Sequence, residues 1–190
     1  SATLFFILFT GIELIDATYY LNHYYFVSVI SFLLIFVPAH RMYSLDVRLG
    51  LIKLRDSVPA LSIYLIMFQL GLVYFLAGIA KINSDWLFEA MPLSIWLPAQ
   101  DDFPLIGSLF QYKLTAFAFS WGGMFYDLLI PFVLLSSRLR WLGYLAVIGF
   151  HLMTWFLFQI GMFPFIMIGA TLIFFSANFH HTIHSFLGGS

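Results

Sequence analysis

From Pro59 to Ala80 the chain carries no charged side chain, and Lys81 ends the run. A bilayer's hydrocarbon core takes about 20 consecutive apolar residues as a helix. In lipid every backbone polar group must be satisfied internally, which leaves helices and closed barrels. Similar runs recur at about 2–20, 24–39, 114–135, 141–158 and 160–177. Six spans are therefore predicted, and the fold class is all-α: a polytopic transmembrane helix bundle. Composition agrees. Hydrophobic residues make up 62% of the chain and charged ones 9%, against about 45–50% and about 25% in soluble domains. This composition describes an integral membrane protein. A net charge of −1 offers no basic face for nucleic acid. Without cysteine there is no disulfide, thiolate nucleophile or thiolate-held metal.

Two longer connections separate the spans. Residues 40–58 interleave Arg41, Arg48, Lys53 and Arg55 with Leu and Ile, the pattern of an amphipathic segment lying on the membrane surface. Residues 82–112 hold Trp86, Trp96, Pro92, Pro98 and Pro104, a tryptophan- and proline-rich loop expected at headgroup level. With alternating spans, residues 40–58 and 136–140 fall on one side. They carry six of the eight basic residues, Arg138 and Arg140 completing the set. The positive-inside rule places that side in the cytoplasm, so Lys81 faces the exoplasmic or lumenal side of a bacterial inner membrane or an endoplasmic-reticulum-type membrane. Ser1 opens within an apolar run, and Gly188, Gly189 and Ser190 resemble a linker. The expectation is one membrane domain, residues 1–187, from a longer protein whose earlier spans and lumenal region lie outside this chain.

Ionisable groups inside apolar spans are costly, about 2.5–3.5 kcal/mol for a lysine at mid-depth, and mark candidate sites. Lys81 has two readings: an end-of-helix lysine reaching toward the headgroups, or an amine kept for use. Gly71, Tyr74, Gly78 and Lys81 share one face of small and polar residues, which favours helix contact there. Glu13, Asp16, Tyr20 and His23 share a face of the first span. Two carboxylates a turn apart in low dielectric do not both ionise easily, so either one is expected to be protonated or a cation such as Lys81 or His23 is expected near them. Asp127 follows Ser120, Gly123 and Met124 on one stripe, with Pro131 expected to kink the helix beyond it. Tyr144, His151 and Trp155 form another stripe beside Thr154. For Asp127 and His151 a structural hydrogen-bonding role stands beside the functional one. His180 and His184 have the i, i+4 spacing of metal ligands, but no carboxylate or cysteine follows them, so no metal is assigned. No phosphate-binding, dinucleotide-binding or hydrolase motif is present.

The stretch VYFLAGIAKINSDW (Val73 to Trp86) resembles the signature of the vitamin K-dependent gamma-glutamyl carboxylase family, whose membrane part also occurs in bacterial proteins as the HTTM domain. Three further stretches resemble the same family in the same order: Asp16 through NHYY (Asn22 to Tyr25), AHRMYSLD (Ala39 to Asp46) and HLMTWFLFQIGMF (His151 to Phe163). The resemblance covers roughly residues 10–180. It departs at Ala80, where the animal pattern has a second lysine, and at Thr154 or Trp155, where the family has asparagine.

The resemblance implies a reaction. A lysine deprotonates reduced vitamin K, a hydroquinone. Oxygen then adds, a strong base forms and removes a γ-proton from a glutamyl residue, and the carbanion takes up carbon dioxide while the quinone leaves as its epoxide. The family lysine falls on Lys81, and the family histidines fall on His23 and His151. Asp16, Asn22, Asp127, Tyr74 and Trp86 are expected to bind the quinone or shape the electrostatics. The implied co-substrates are the hydroquinone, O2 and CO2, without a metal. The implied partners are membrane lipid, the quinone and a Glu-containing protein or peptide. Free amines near a pKa of about 10.4 are protonated at neutral pH, and burial among apolar helices moves such groups toward the neutral form a base needs. Two rival readings remain from other classes. A proton-coupled carrier built on Glu13, Asp16, Asp127 and Lys81 predicts proton or solute flux in liposomes that collapses in Asp16→Asn. A non-catalytic HTTM anchor predicts no quinone binding.

Overall fold

The computed structural model describes residues 1–15, 22–42, 44–55 and 57–186, with the side chains of Asn22 and His23 outside the description. Every regular element among the described residues is helical. In chain order these are α1 (Ala2–Ile15), α2 (Asn22–Phe36), a 3₁₀ turn at Ala39–Arg41, α3 (Leu45–Arg48), α4 (Ala60–Ala80), α5 (Ser84–Phe88), α6 (Leu93–Trp96), 3₁₀ turns at Pro98–Gln100 and Gly107–Gln111, α7 (Lys113–Leu135), α8 (Arg140–Phe158), α9 (Phe163–Thr171), a 3₁₀ turn at Leu172–Phe174, and α10 (Ala177–Phe186). The all-α bundle read from the sequence is the fold. The chain divides into two compact units, Ser1–Gln69 and Leu70–Ser190.

The span count differs from the six predicted. Among the described residues three helices are long and apolar enough to cross a membrane: α4 with 21 residues, α7 with 23 and α8 with 19. At 1.5 Å per residue these are about 30 Å long, the thickness of a hydrocarbon core. Two further candidates are bent pairs. One joins Tyr24–Phe36 to Ala39–Arg48 at 60°, and the other joins Phe163–Phe174 to Ala177–Phe186 at 120°. The first breaks at Pro38, whose ring removes a backbone donor; the second breaks at Phe175, where the backbone is extended. The predicted first span runs from the 14-residue α1 into residues 16–20, outside the described set.

In the first unit α2 returns antiparallel to α1. Phe6 meets Phe32 at 5.3 Å between ring centroids, and the Thr10 hydroxyl donates to Ser28 Oγ at 3.1 Å. In the second unit α7 and α8 form a hairpin. The turn after α7 is tied by the Arg140 guanidinium, whose Nε donates to the Leu134 carbonyl at 3.0 Å. Gly143 lets the helices close: a Cβ there would sit 2.9 Å from Val133 Cγ1. Lipid tails are as apolar as leucine, so such packing relies on close fit rather than on escape from water.

The tryptophan- and proline-rich stretch is not an open loop. Its prolines cut it into turns of three to five residues, too short to show helical periodicity. These fold around a buried cluster of Ala90, Leu93, Leu97 and Phe110, joined by Ala116 from the start of α7 and Leu157 from the end of α8. The stretch therefore caps one end of the α7–α8 hairpin.

Candidate functional site

Lys81 stands immediately after α4, on its small-residue face. That face makes a helix contact, as the sequence suggested, and its partner is α7. A Cβ at Gly71 would lie 3.5 Å from Pro131 Cβ, and one at Gly78 would lie 2.7 Å from Leu128 Cγ. Bare glycine at 78 thus admits α7 to contact distance, and the next turn of α4 delivers Lys81 beside Asp127. Lys81 Nζ donates to Asp127 Oδ2 at 2.5 Å and to the Ala77 carbonyl at 3.3 Å. The two side chains are 20% and 6% exposed. The amine turns back against protein rather than out to the headgroups. Pro131 does not interrupt α7, which runs continuously past it to Leu135.

Asn83 fixes the turn that follows. Its side-chain amide donates to the Ala80 carbonyl at 2.8 Å, closing the end of α4, and its oxygen accepts from the Trp86 backbone N–H at 2.9 Å, opening α5. This double cap satisfies groups that helix ends leave unpaired. It sets Trp86 over the amine, with Lys81 Nζ 5.3 Å from the ring centroid, within cation–π range. Trp86 is held in turn by α7. Its indole N–H donates to the Ser120 carbonyl and the Ser120 hydroxyl donates to the Trp86 carbonyl, both at 2.7 Å. Trp121 adds a bond from its indole N–H to the Leu87 carbonyl at 3.0 Å.

Two turns deeper along α4 is a second cluster. Tyr74 Oη and His151 Nε2 are 2.9 Å apart, and both residues are buried. The Tyr126 ring stands edge-on to Tyr74 at 6.0 Å and stacks on Phe150 at 4.0 Å. Its hydroxyl is buried near that of Tyr74 without reaching hydrogen-bond geometry. Tyr126 adjoins Asp127 in sequence, so this one peptide links the two clusters. The Thr154 hydroxyl donates to the His151 carbonyl at 3.0 Å.

Of the residues the sequence marked, the structure brings Lys81, Asp127 and Trp86 together, and Tyr74 with His151. It pairs the Lys81 amine with Asp127; the expected cation beside Glu13 and Asp16 lies outside what is described, because Asp16 does. The side chains of Asn22 and His23 lie outside it too. Sequence reasoning missed Tyr126 and Asn83. Tyr126 is one position off the buried stripe of α7. Asn83 carried a signal, an Asx residue three positions before an aromatic at a helix start. Among the described residues no group of three or more His, Cys, Asp or Glu could hold a metal.

These features define a class: a helical integral membrane domain with a lysine–aspartate pair held between two of its long helices. Its sequence matches the HTTM domain over residues 1–179, and the chain belongs to that family. No solved structure matches it.

Proposed function

We propose that this domain binds a hydroquinone of the reduced vitamin K type beside Lys81 and oxygenates it to the epoxide. The HTTM domain is associated with vitamin K-related enzymes, which supports the reading. The observation that carries it is the Lys81–Asp127 contact under the Trp86 ring. An amine and a carboxylate in contact can exist as an ion pair or, with one proton moved between them, as a neutral pair. The proposed reaction uses the neutral pair, whose amine is the proton acceptor. Lys81 accepts the phenolic proton at Nζ, and the resulting ammonium stays beside the phenolate it created. Asp127 orients the amine through Oδ2, and Trp86 covers it from solvent. The hydroquinone supplies the reducing electrons: with one O2 it yields the quinone epoxide and one water, so atoms and electrons balance.

Coupled carboxylation of a glutamyl substrate with CO2 is the extension of this proposal, with His23 and His151 as its residues and the exoplasmic or lumenal side as its location. His151 would act from the deeper cluster, where Tyr74 orients its ring.

The test is epoxide formation from reduced vitamin K by the protein reconstituted in lipid. Wild type forms epoxide, and Lys81→Ala lowers the rate at least a hundredfold, the lower bound for loss of a general base. Equal turnover by the two proteins refutes the assignment. Adding a glutamyl peptide and labelled CO2 to the same preparation tests the carboxylation half separately.

A further inference from the structure

Residues 40–55 form a built surface element. The Arg55 backbone N–H donates to the Arg41 carbonyl at 3.1 Å, closing the segment into a loop. Within it Ser44 caps α3, accepting from the Val47 N–H at 3.2 Å while its own hydroxyl donates to the His40 carbonyl at 2.7 Å. Gly50, at φ +70°, ends α3 with the paired bonds Leu51 N–H to Asp46 O at 2.9 Å and Gly50 N–H to Val47 O at 3.0 Å. That is the left-handed cap glycine allows. The closed loop exposes Leu45, Leu49, Leu51 and Leu54 beside Arg48, Lys53 and Arg55. Among the described residues, no carboxylate pairs with Arg41, Arg48, Lys53 or Arg55. The segment leads from α2 into α4, one of the helices long and apolar enough to cross a membrane.

Four leucines on a fixed loop would be unfavourable in water and belong at the boundary of the acyl chains. The three exposed cations beside them have no carboxylate partner among the described residues and call for anions at the same depth, and Asp46 is the single described acid in the loop. We infer that this loop is a binding surface for anionic phospholipid headgroups: the leucines seat in the outer acyl region, and Arg48, Lys53 and Arg55 take the phosphates. Zwitterionic headgroups carry a compensating cation and satisfy it less well. This inference stands apart from the hydroquinone reading.

The chain has no cysteine, so Leu51→Cys gives a single attachment point for a fluorophore. The labelled protein is placed in nanodiscs containing phosphatidylglycerol and phosphatidylcholine, with a nitroxide on the acyl chain of one lipid or the other. The ratio of quenching gives the local preference. Each basic residue near an anionic surface contributes roughly fivefold. At low salt the anionic lipid is enriched at least fivefold. The preference falls toward one in Arg48→Gln/Lys53→Gln/Arg55→Gln, and in unmutated loop at 1 M NaCl, where screening reaches about 3 Å. A preference near one at low salt overturns the inference. So does an enrichment that survives both neutralisation and salt, or a label that neither lipid quenches, which would mean that protein covers the loop. If the triple variant fails to fold, the salt series decides alone.

Discussion

Replacing Asp127 with leucine removes the carboxylate, keeps the branched side-chain skeleton and leaves the Lys81 ammonium without its partner. Taking one member from a buried pair costs about 3–5 kcal/mol, because the remaining charge stays buried and unpaired. Lys81 keeps a fifth of its side chain exposed and stands just past the end of α4, so it can partly turn outward. The expected loss is therefore at the low end, about 3 kcal/mol. Replacing Lys81 with methionine orphans the carboxylate instead. Asp127 is 6% exposed and has less freedom to escape, so that loss is at least as large. The double variant Lys81→Met/Asp127→Leu leaves no orphan, and its stability should return to within about 1 kcal/mol of wild type. The coupling between the sites is thus about 5 kcal/mol, nearly the sum of the two single losses. Reversible unfolding in mixed detergent, followed by tryptophan fluorescence, measures all four proteins. Additive losses, with the double variant as unstable as the two singles summed, would refute the claim that these groups hold each other.

Other consequences of the geometry are as direct. Gly78→Ala drives a methyl to 2.7 Å from Leu128 Cγ and should cost about 1–3 kcal/mol by overpacking, with loss of activity because Lys81 shifts with the end of α4. Gly71→Ala meets only an ordinary 3.5 Å contact and should be neutral or slightly stabilising in the same unfolding assay. Asn83→Ala removes both caps of the α4–α5 turn and should cost about 1 kcal/mol, with a shift in tryptophan emission as Trp86 loosens. Trp86→Phe keeps a ring over the amine but leaves the buried Ser120 carbonyl without its indole donor. A loss of about 1–2 kcal/mol is expected, and Ser120→Ala in the Trp86→Phe background should add less than it does alone, because both changes cut the same latch.

Much of the fold was legible because the physics of lipid is severe. Apolar runs near 20 residues gave α4, α7 and α8 almost to the residue. The face Gly71, Tyr74, Gly78 and Lys81 was readable from helical spacing, as was the stripe Ser120, Met124 and Asp127, and the structure packs the two together. Their pairing was not readable. Spacing along one helix says nothing of its neighbour: the sequence offered Lys81 to Glu13 and Asp16, and only the contact of Gly78 with Leu128 brings the amine to Asp127. The bends escaped because hydropathy averages over a window, so one proline at 38 or one extended residue at Phe175 hardly registers. The cap made by residues 82–112 escaped because turns of three to five residues carry no period. Tyr126 escaped because lipid-facing and buried tyrosines look alike in a chain where aromatics cover every surface.

The measurement closest to the central claim is the hydroquinone-dependent epoxide yield of Lys81→Arg in lipid. Arginine keeps the positive charge and reaches the Asp127 carboxylate, but it does not deprotonate at any working pH. If the neutral amine of Lys81 is what takes the phenolic proton, the arginine protein stays folded, still quenches tryptophan fluorescence on binding a quinone analogue, and makes no epoxide above background. An arginine protein that turns over at the wild-type rate would mean that position 81 supplies only charge, and the proton acceptor would have to be sought elsewhere.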